Sequence, residues 1–242
     1  MGRAKDIVVK IIPKKLADDF VRKVHYSGKV DPRSSLHMGA FLDNALHGVM
    51  QFGIPIDKRK VIHLVENTGW NDFLELNRMA FDDYLPKNSE SRCLSIAMKL
   101  IKKNAPQIKW VLSYADGSQC GDGTIYRASG FYLTQINENK SMYKMPDGDV
   151  ICKIVLEPSF GGNGKGGIKA KYGKNGEFSS WTSTRYLKHI KAELIKGFQL
   201  RYIYLLDKSA KLTVPIIPFE KIDDYNAGMY KGKKITIQER KA

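Results

Sequence analysis

Residues Ile108–Ala115 (IKWVLSYA) form a nearly unbroken apolar run of strand length, directly behind an amphipathic helical segment. A strand apolar on both sides has to be covered on both sides, which demands a sheet with helices layered on it. In the segment ahead of it, Leu94, Ala97, Met98 and Ile101 stand at i, i+3, i+4 and i+7, and Cys93, Ile96 and Leu100 widen the stripe. Lys99, Lys102 and Lys103 take the solvent side, and Asn104-Ala105-Pro106 ends the helix. Polar residues Pro86–Ser91 open it.

Other elements follow the same logic. Asp6–Ile12 reads as a β-branched strand closed by Pro13, and the spacing of Leu16, Phe20, Val21 and Val24 predicts a helix over Lys14–Val24. Met38–Leu42 and Leu46–Phe52 read as a hairpin turning at Asp43-Asn44, and Trp70–Phe81 as an alternating strand. Ile125–Phe131 predicts a short helix running into a strand at Phe131–Thr134; Arg185–Ile195 predicts a helix and Leu200–Leu206 a closing strand. The fold class is α/β.

Charge narrows the partner. Among 242 residues, 40 Lys or Arg face 25 Asp or Glu, a net charge of +15. That balance favours a polyanion, nucleic acid before an anionic membrane; the plainer alternative is a positive solvated face. Gly161–Gly176 holds seven glycines, and Gly161–Arg201 carries nine Lys or Arg against two Asp or Glu. Lys165, Lys169, Lys171, Lys174, Arg185 and Lys188 there suit phosphate neutralisation, with Tyr172, Phe178 and Trp181 as stacking or wedging residues, or the segment is simply a basic surface loop. Three cysteines without a CxxC argue against a disulfide framework or a thiolate zinc site. The sequence carries no secretory signal and no apolar run long enough to cross a membrane, which leads to the expectation of a cytoplasmic protein without membrane association. Whether it is a monomer or a homodimer the sequence leaves open.

A strand, a polar loop and a helix whose first amides lack partners make an anion site; the alternative is an ordinary capped helix. Neither a Walker loop nor a Rossmann glycine fingerprint is present. The segments Phe73–Phe81, Lys87–Ile101, Ile108–Ala115 and Ile125–Phe131, the last as IYRASGF, resemble the GNAT N-acetyltransferase core, with Asn88-Ser89-Glu90-Ser91-Arg92 in place of its glycine-bearing loop. A narrower resemblance, to the phage Mom family, rests on HYSG (25–28), ELNRM (75–79), SESR (89–92), LSYAD (112–116), GTIYRASGF (123–131), VPIIPF (214–219) and AGMYKG (227–232). These resemblances imply a GNAT-like fold, a central mixed twisted sheet flanked by helices, in one domain. Its core would run over about 6–145 and 184–219, with a basic Gly-rich insertion at about 157–183 and a basic tail at 220–242.

They also imply an enzyme of the acyltransferase type. It would convert the N6 of adenine in double-stranded DNA to a carbamoylmethyl derivative with acetyl-coenzyme A and so shield phage DNA from restriction. Arg78 and Ser91 resemble positions linked to acetyl-coenzyme A, joined at the loop by Asn88, Ser89 and Arg92. Asp116 and Tyr126 resemble positions needed for activity, and His25 and Tyr26 would border the acceptor. Because the family is associated with iron, His25 and Asp116 are an N and an O ligand for Fe(II). Each residue keeps a structural alternative: Tyr126 as a core tyrosine anchoring Phe131, Arg78 as a solvated strand residue, Asp116 as a turn residue and His25 as a hydrogen-bonded histidine. Reaching N6 requires extruding the adenine, so an aromatic is expected beside the pocket: Tyr26, Trp70 or Tyr114. Two other functions fit the composition, a conventional N-acetyltransferase acting on a protein lysine or small amine and a non-catalytic DNA-binding protein.

Overall fold

In a computed structural model, which describes residues 3–118, 121–156, 176–227, 229–230 and 233–234, the chain divides into two compact units. The first takes in residues up to Ile136 and from Gln199 onward, the second Asn137–Phe198.

The first unit is a mixed α/β layer. Strand β1 (Val8–Ile11) leads into helix α1 (Lys14–Val24), followed by the hairpin β2 (Ser34–Leu42) and β3 (Ala45–Gly53). Asp43 and Asn44 both take positive φ, 52° and 62°, the left-handed pair that a two-residue hairpin turn needs. Strand β4 (Phe73–Phe81) is followed by helix α2 (Ser89–Asn104), β5 (Trp110–Asp116), the short helix α3 (Thr124–Ala128) and β6 (Tyr132–Glu138). After β7 (Met142–Lys144), β8 (Val150–Cys152), helix α4 (Ser183–His189) and β9 (Glu193–Leu194), the chain returns as β10 (Phe198–Leu205). The seven-stranded sheet has the order β1-β2-β3-β4-β5-β10-β6. The last long strand therefore does not close an edge but slots between β5 and β6. The central mixed sheet flanked by helices is the fold expected from the sequence.

One pairing matters most. β4 and β5 run parallel, yet they are matched only at Phe73–Trp110, Leu74–Val111 and Glu75–Leu112. Beyond Glu75 they part. At that point β4 also carries a bulge, since Gln51 and Phe52 of β3 face Arg78 and Leu76 and leave Asn77 between them. The even alternation expected for this strand is broken there. Below the parting, Phe73 stacks on Trp110 with ring centroids 4.2 Å apart, in a core with Leu112, Ile203 and Leu205 closed over by Val61, Leu64 and Val65. On the α1 side, Ala17 and Val21 pack on Val49 and Ala80, and Gln51 Nε2 donates to Asp18 Oδ1 at 2.8 Å.

The second unit has its own three-stranded sheet, β8-β7-β9, and its own core of Met145, Ile151, Leu156, Tyr186 and Leu187. It includes residues 137–145 and 184–198, which the sequence analysis assigned to the central core. The helix expected over Arg185–Ile195 ends at His189. Lys191 takes the left-handed conformation (φ 57°), its amide bonds Lys188 O, and Ala192 N bonds Leu187 O, a terminating motif formed here without glycine.

Candidate active site

β4 and β5 part toward their C-terminal ends, and α2 is the element that follows the C-terminal end of β4 and leads back into β5. Asn88, just before that helix, has φ 68°, the left-handed conformation for which glycine would otherwise be used. The turn ties Ser89 N to Pro86 O and Arg92 N to Asn88 O. The amides of Glu90 and Ser91 have no acceptor among the described residues, and exposed Lys87 and Arg92 flank them. The Ser91 hydroxyl bonds back to Asn88 O at 3.2 Å, so the amide of Ser91 rather than its side chain is open to a ligand.

Helix α3 lies against this end of α2: Ser129 Oγ donates to Ser91 O at 3.4 Å. The helix begins at Gly123 (φ 82°), where any Cβ would run into the Tyr202 ring, and ends at Gly130 (φ 82°). There Gly130 N bonds Arg127 O and Phe131 N bonds Tyr126 O, while the Tyr126 and Phe131 rings sit 5.4 Å apart. That is the apolar contact which accompanies this type of helix end. Tyr126 is therefore the core anchor of the structural alternative and also lies three residues from Ser129. Its ring also packs 5.2 Å from Tyr202.

Asp116 ends β5. Its Oδ1 accepts from the amide of Ser118 at 3.0 Å and from the Ser118 hydroxyl. Burial raises its pKa and these bonds oppose the rise, so the carboxylate shapes the turn that follows it. Among the described residues, the contacts of Arg78 lie away from the loop before α2. Its Nε donates to Lys29 O at 2.9 Å and its Nη1 to Asn77 O at 2.7 Å, with Asp31 Oδ2 3.9 Å away. It clamps the segment after α1 onto the β4 bulge.

His25 sits in the same neighbourhood. Burial, then the charge of Arg78, push its pKa down to about 4, so the ring is neutral near pH 7. Ser27 N donates to Nδ1 at 3.2 Å, and the Ser27 hydroxyl lies 2.8 Å from the same atom. An accepting Nδ1 places the proton on Nε2 and leaves neither nitrogen with a spare lone pair for a cation. Among the described residues no group of three or more His, Cys, Asp or Glu is arranged to hold a metal. The expected His25–Asp116 pair for Fe(II) is not supported. Tyr26 is 53% exposed and lies 4.3 Å from the His25 ring.

The group that sequence reasoning missed is Glu75. It occupies the last matched position before the strands part. Burial, with Asp31 adding to it against the pull of Arg33, Asn77 and Arg78, raises its pKa to about 7. The signal was present, an acidic residue inside the ELNRM strand, but the alternation did not reveal that the neighbouring strand would leave. Tyr114 stands two residues beyond Leu112; burial and the Glu75 charge push its phenol up to about 12, against the pull of Arg201.

Of the expected DNA-contacting residues, Arg185 and Lys188 are exposed on α4, and the Arg185 guanidinium lies 3.9 Å from the Trp181 ring centroid. Lys165, Lys169, Lys171, Lys174 and Tyr172 lie outside the described residues, as do residues 228, 231, 232 and 235–242 of the basic tail. Among the described residues no helix is long and apolar enough to cross a membrane.

The sequence matches the Mom protein family over residues 6–221. It is 32% identical over 209 residues, 86% of this chain and 79% of the other, to methylcarbamoylase mom of Escherichia phage Mu. Similar solved structures include an acetyltransferase of Bacillus subtilis in complex with CoA (11% identity, TM-score 0.42, covering 82% of this chain and 98% of that one). Another is the IAA acetyltransferase of Bacillus cereus (14% identity, TM-score 0.40, covering 82% and 99%). Likeness at that distance carries no argument about activity.

Proposed function

The chain belongs to the Mom protein family, and from that premise we propose that it is a transferase which uses acetyl-coenzyme A to modify the exocyclic N6 of DNA adenine. The product would be the carbamoylmethyl derivative, and its presence would shield the DNA from restriction. The observation that carries the reading is the parting of β4 from β5 directly after Glu75–Leu112, in a chain whose α2 amides at Glu90 and Ser91 are open.

The residues present suit a coenzyme A thioester. Two open amides at the positive end of α2, with Lys87 and Arg92 beside them, are donors for a diphosphate. Past the parting, β4 and β5 no longer satisfy each other's backbone groups, and an amide-bearing arm can pair with such an edge. When bound, the thioester would supply the two-carbon acetyl unit. Because the carbamoylmethyl group joins N6 through its methylene carbon, the product also requires an amide-nitrogen donor and a two-electron oxidant, so simple acyl transfer is not the whole reaction.

The chain's own groups then divide the proton work. Glu75, with a pKa near neutrality, is ionised in part at pH 7 and suited to take a proton from an exocyclic amine. Tyr126 holds a phenolic proton on the helix that Ser129 ties to Ser91. His25, neutral and with Nδ1 committed to Ser27, presents an Nε2–H donor. Arg78 fixes the segment carrying His25 and Asp31 relative to β4. The net charge of +15 and the exposed cations of α4 support duplex DNA as the acceptor.

Expression in bacteria followed by mass analysis of nucleosides from the genomic DNA tests donor and acceptor together. A carbamoylmethyl-adenine peak that vanishes in Glu75→Gln, with resistance of the same DNA to restriction nucleases, is the expected result. Unmodified adenine from abundant, folded protein rejects the reading.

A further inference from the structure

At and beyond the parting, four neighbouring strands carry Glu75 (β4), Tyr114 (β5), Arg201 (β10) and Thr134 (β6). Glu75 is matched to Leu112, two residues before Tyr114, and Tyr114 is matched to Arg201. Partners directly opposite, and residues two apart on one strand, share a face of the sheet, so the first three stand in a row. Arg201 extends it to β6, its Nε donating to Thr134 Oγ1 at 3.0 Å and its Nη2 to Thr134 O at 3.4 Å.

The row is incomplete in two ways. Arg201 is half-buried, and burial lowers its pKa, yet it forms no ion pair with a carboxylate among the described residues. A guanidinium partly withdrawn from water without a counter-charge is costly, and a phosphate would offset that cost bidentately. Beside it Tyr114, on a central strand, stays 40% exposed, and its hydroxyl has no hydrogen bond among the described residues. An open aromatic plane next to an unmatched guanidinium is how single nucleotides are held, the base on the ring and the phosphate on the fork. Three other exposed aromatics near β4 already have companions: Tyr26 packs on His25, the Lys58 ammonium lies 4.9 Å from the Trp70 ring centroid, and Tyr84 stacks on His47 at 4.2 Å.

We propose that the Glu75–Tyr114–Arg201 row receives the extruded adenine nucleotide, its base lying on the Tyr114 ring and a phosphate of the same strand on Arg201. This rests on the reading of the chain as a DNA-adenine enzyme and adds where the nucleotide sits. Glu75 then faces the edge of the base.

The test compares binding of the full chain, by fluorescence anisotropy, to two duplexes differing at one adenine. In one the adenine is paired with thymine; in the other it stands opposite an abasic site and is already free to leave the stack. The wild type is expected to prefer the second duplex by about tenfold, within the range that one base–aromatic stack supplies. Tyr114→Ala and Arg201→Gln should lose that preference and keep their affinity for the paired duplex; Tyr114→Phe, which retains the ring, should keep it. Thermal melting checks folding, and if Tyr114→Ala does not fold, Arg201→Gln carries the test. The proposal is overturned if the preference survives in Tyr114→Ala and Arg201→Gln, if the wild type shows none, or if Trp70→Ala or Tyr26→Ala abolishes it instead. Nucleoside mass analysis separates the two readings. Modified adenine with a preference indifferent to Tyr114 and Arg201 defeats this site alone, whereas a wild type that modifies no adenine defeats the enzymatic reading beneath it.

Discussion

The lower and upper halves of β4, β5 and β10 are built from the same strands and serve opposite ends. Up to the last β4–β5 match, Glu75 with Leu112, the strands carry Phe73, Trp110, Leu112, Ile203 and Leu205, roofed by Val61, Leu64 and Val65. From Glu75 onward they carry Glu75, Asn77, Tyr114 and Arg201, with a bulge at Asn77. In the lower half every large side chain has an apolar neighbour, and burial there supplies stability. In the upper half a carboxyl and a guanidinium are partly withdrawn from water without full compensation, which costs stability and leaves groups available to a ligand. The difference teaches that the site exists because the lower half is sound enough to hold two strands apart above it.

The largest effect should come from the lower half. Trp110→Ala removes a fully buried ring stacked on Phe73 and should cost about 3–5 kcal/mol in urea denaturation. A loss under about 1 kcal/mol would break the comparison, since the lower half would then not be the support. Next, Glu75→Gln should lower the modification rate by at least about a hundredfold while leaving the melting temperature equal or higher, because burial penalises the ionised carboxyl that this change removes. A fall in rate and stability together would make Glu75 a structural residue.

The third effect is a pH dependence. The folded pKa of Glu75 is about 7 against 4.5 ordinarily, so the folded protein binds the proton more tightly than the unfolded chain. Its contribution to stability is therefore fully present below about 4.5 and lost as pH rises through about 7, on the order of 1–3 kcal/mol. The wild type minus Glu75→Gln difference, from denaturation at several pH values, should show that slope. A flat difference would remove Glu75 from the list of strained groups. The smallest effect is at the helix start. Asn88→Gly should change stability by no more than a few tenths of a kcal/mol, and Asn88→Ala should cost about 1 kcal/mol, since only alanine is strained at φ 68°.

Much of the fold was legible because its signals are local. The span of α1, the Asp43-Asn44 turn, and α2 with its Lys-rich end all follow from the periodicity and turn chemistry of adjacent residues. The motif GTIYRASGF was legible as a pattern, and its geometry explains it: Gly123 and Gly130 stand where φ is positive, and Phe131 closes the helix on Tyr126. The helix predicted to Ile195 failed because Lys191 adopts a left-handed conformation with no glycine to announce it. Arg78 was assigned to the coenzyme, but besides the adjacent Asn77 carbonyl it bonds the carbonyl of Lys29, a partner that nothing near it in the chain specifies.

The sequence by itself determined most elements of the first unit, the basic charge and the family pattern, because each of these is carried by neighbouring residues or by composition. Only the tertiary structure decided that β4 and β5 separate after Glu75, that β10 enters between β5 and β6, and that Tyr114 and Arg201 therefore stand side by side. Pairing register joins residues far apart in the chain through backbone hydrogen bonds that every residue type can make, so no local pattern records it.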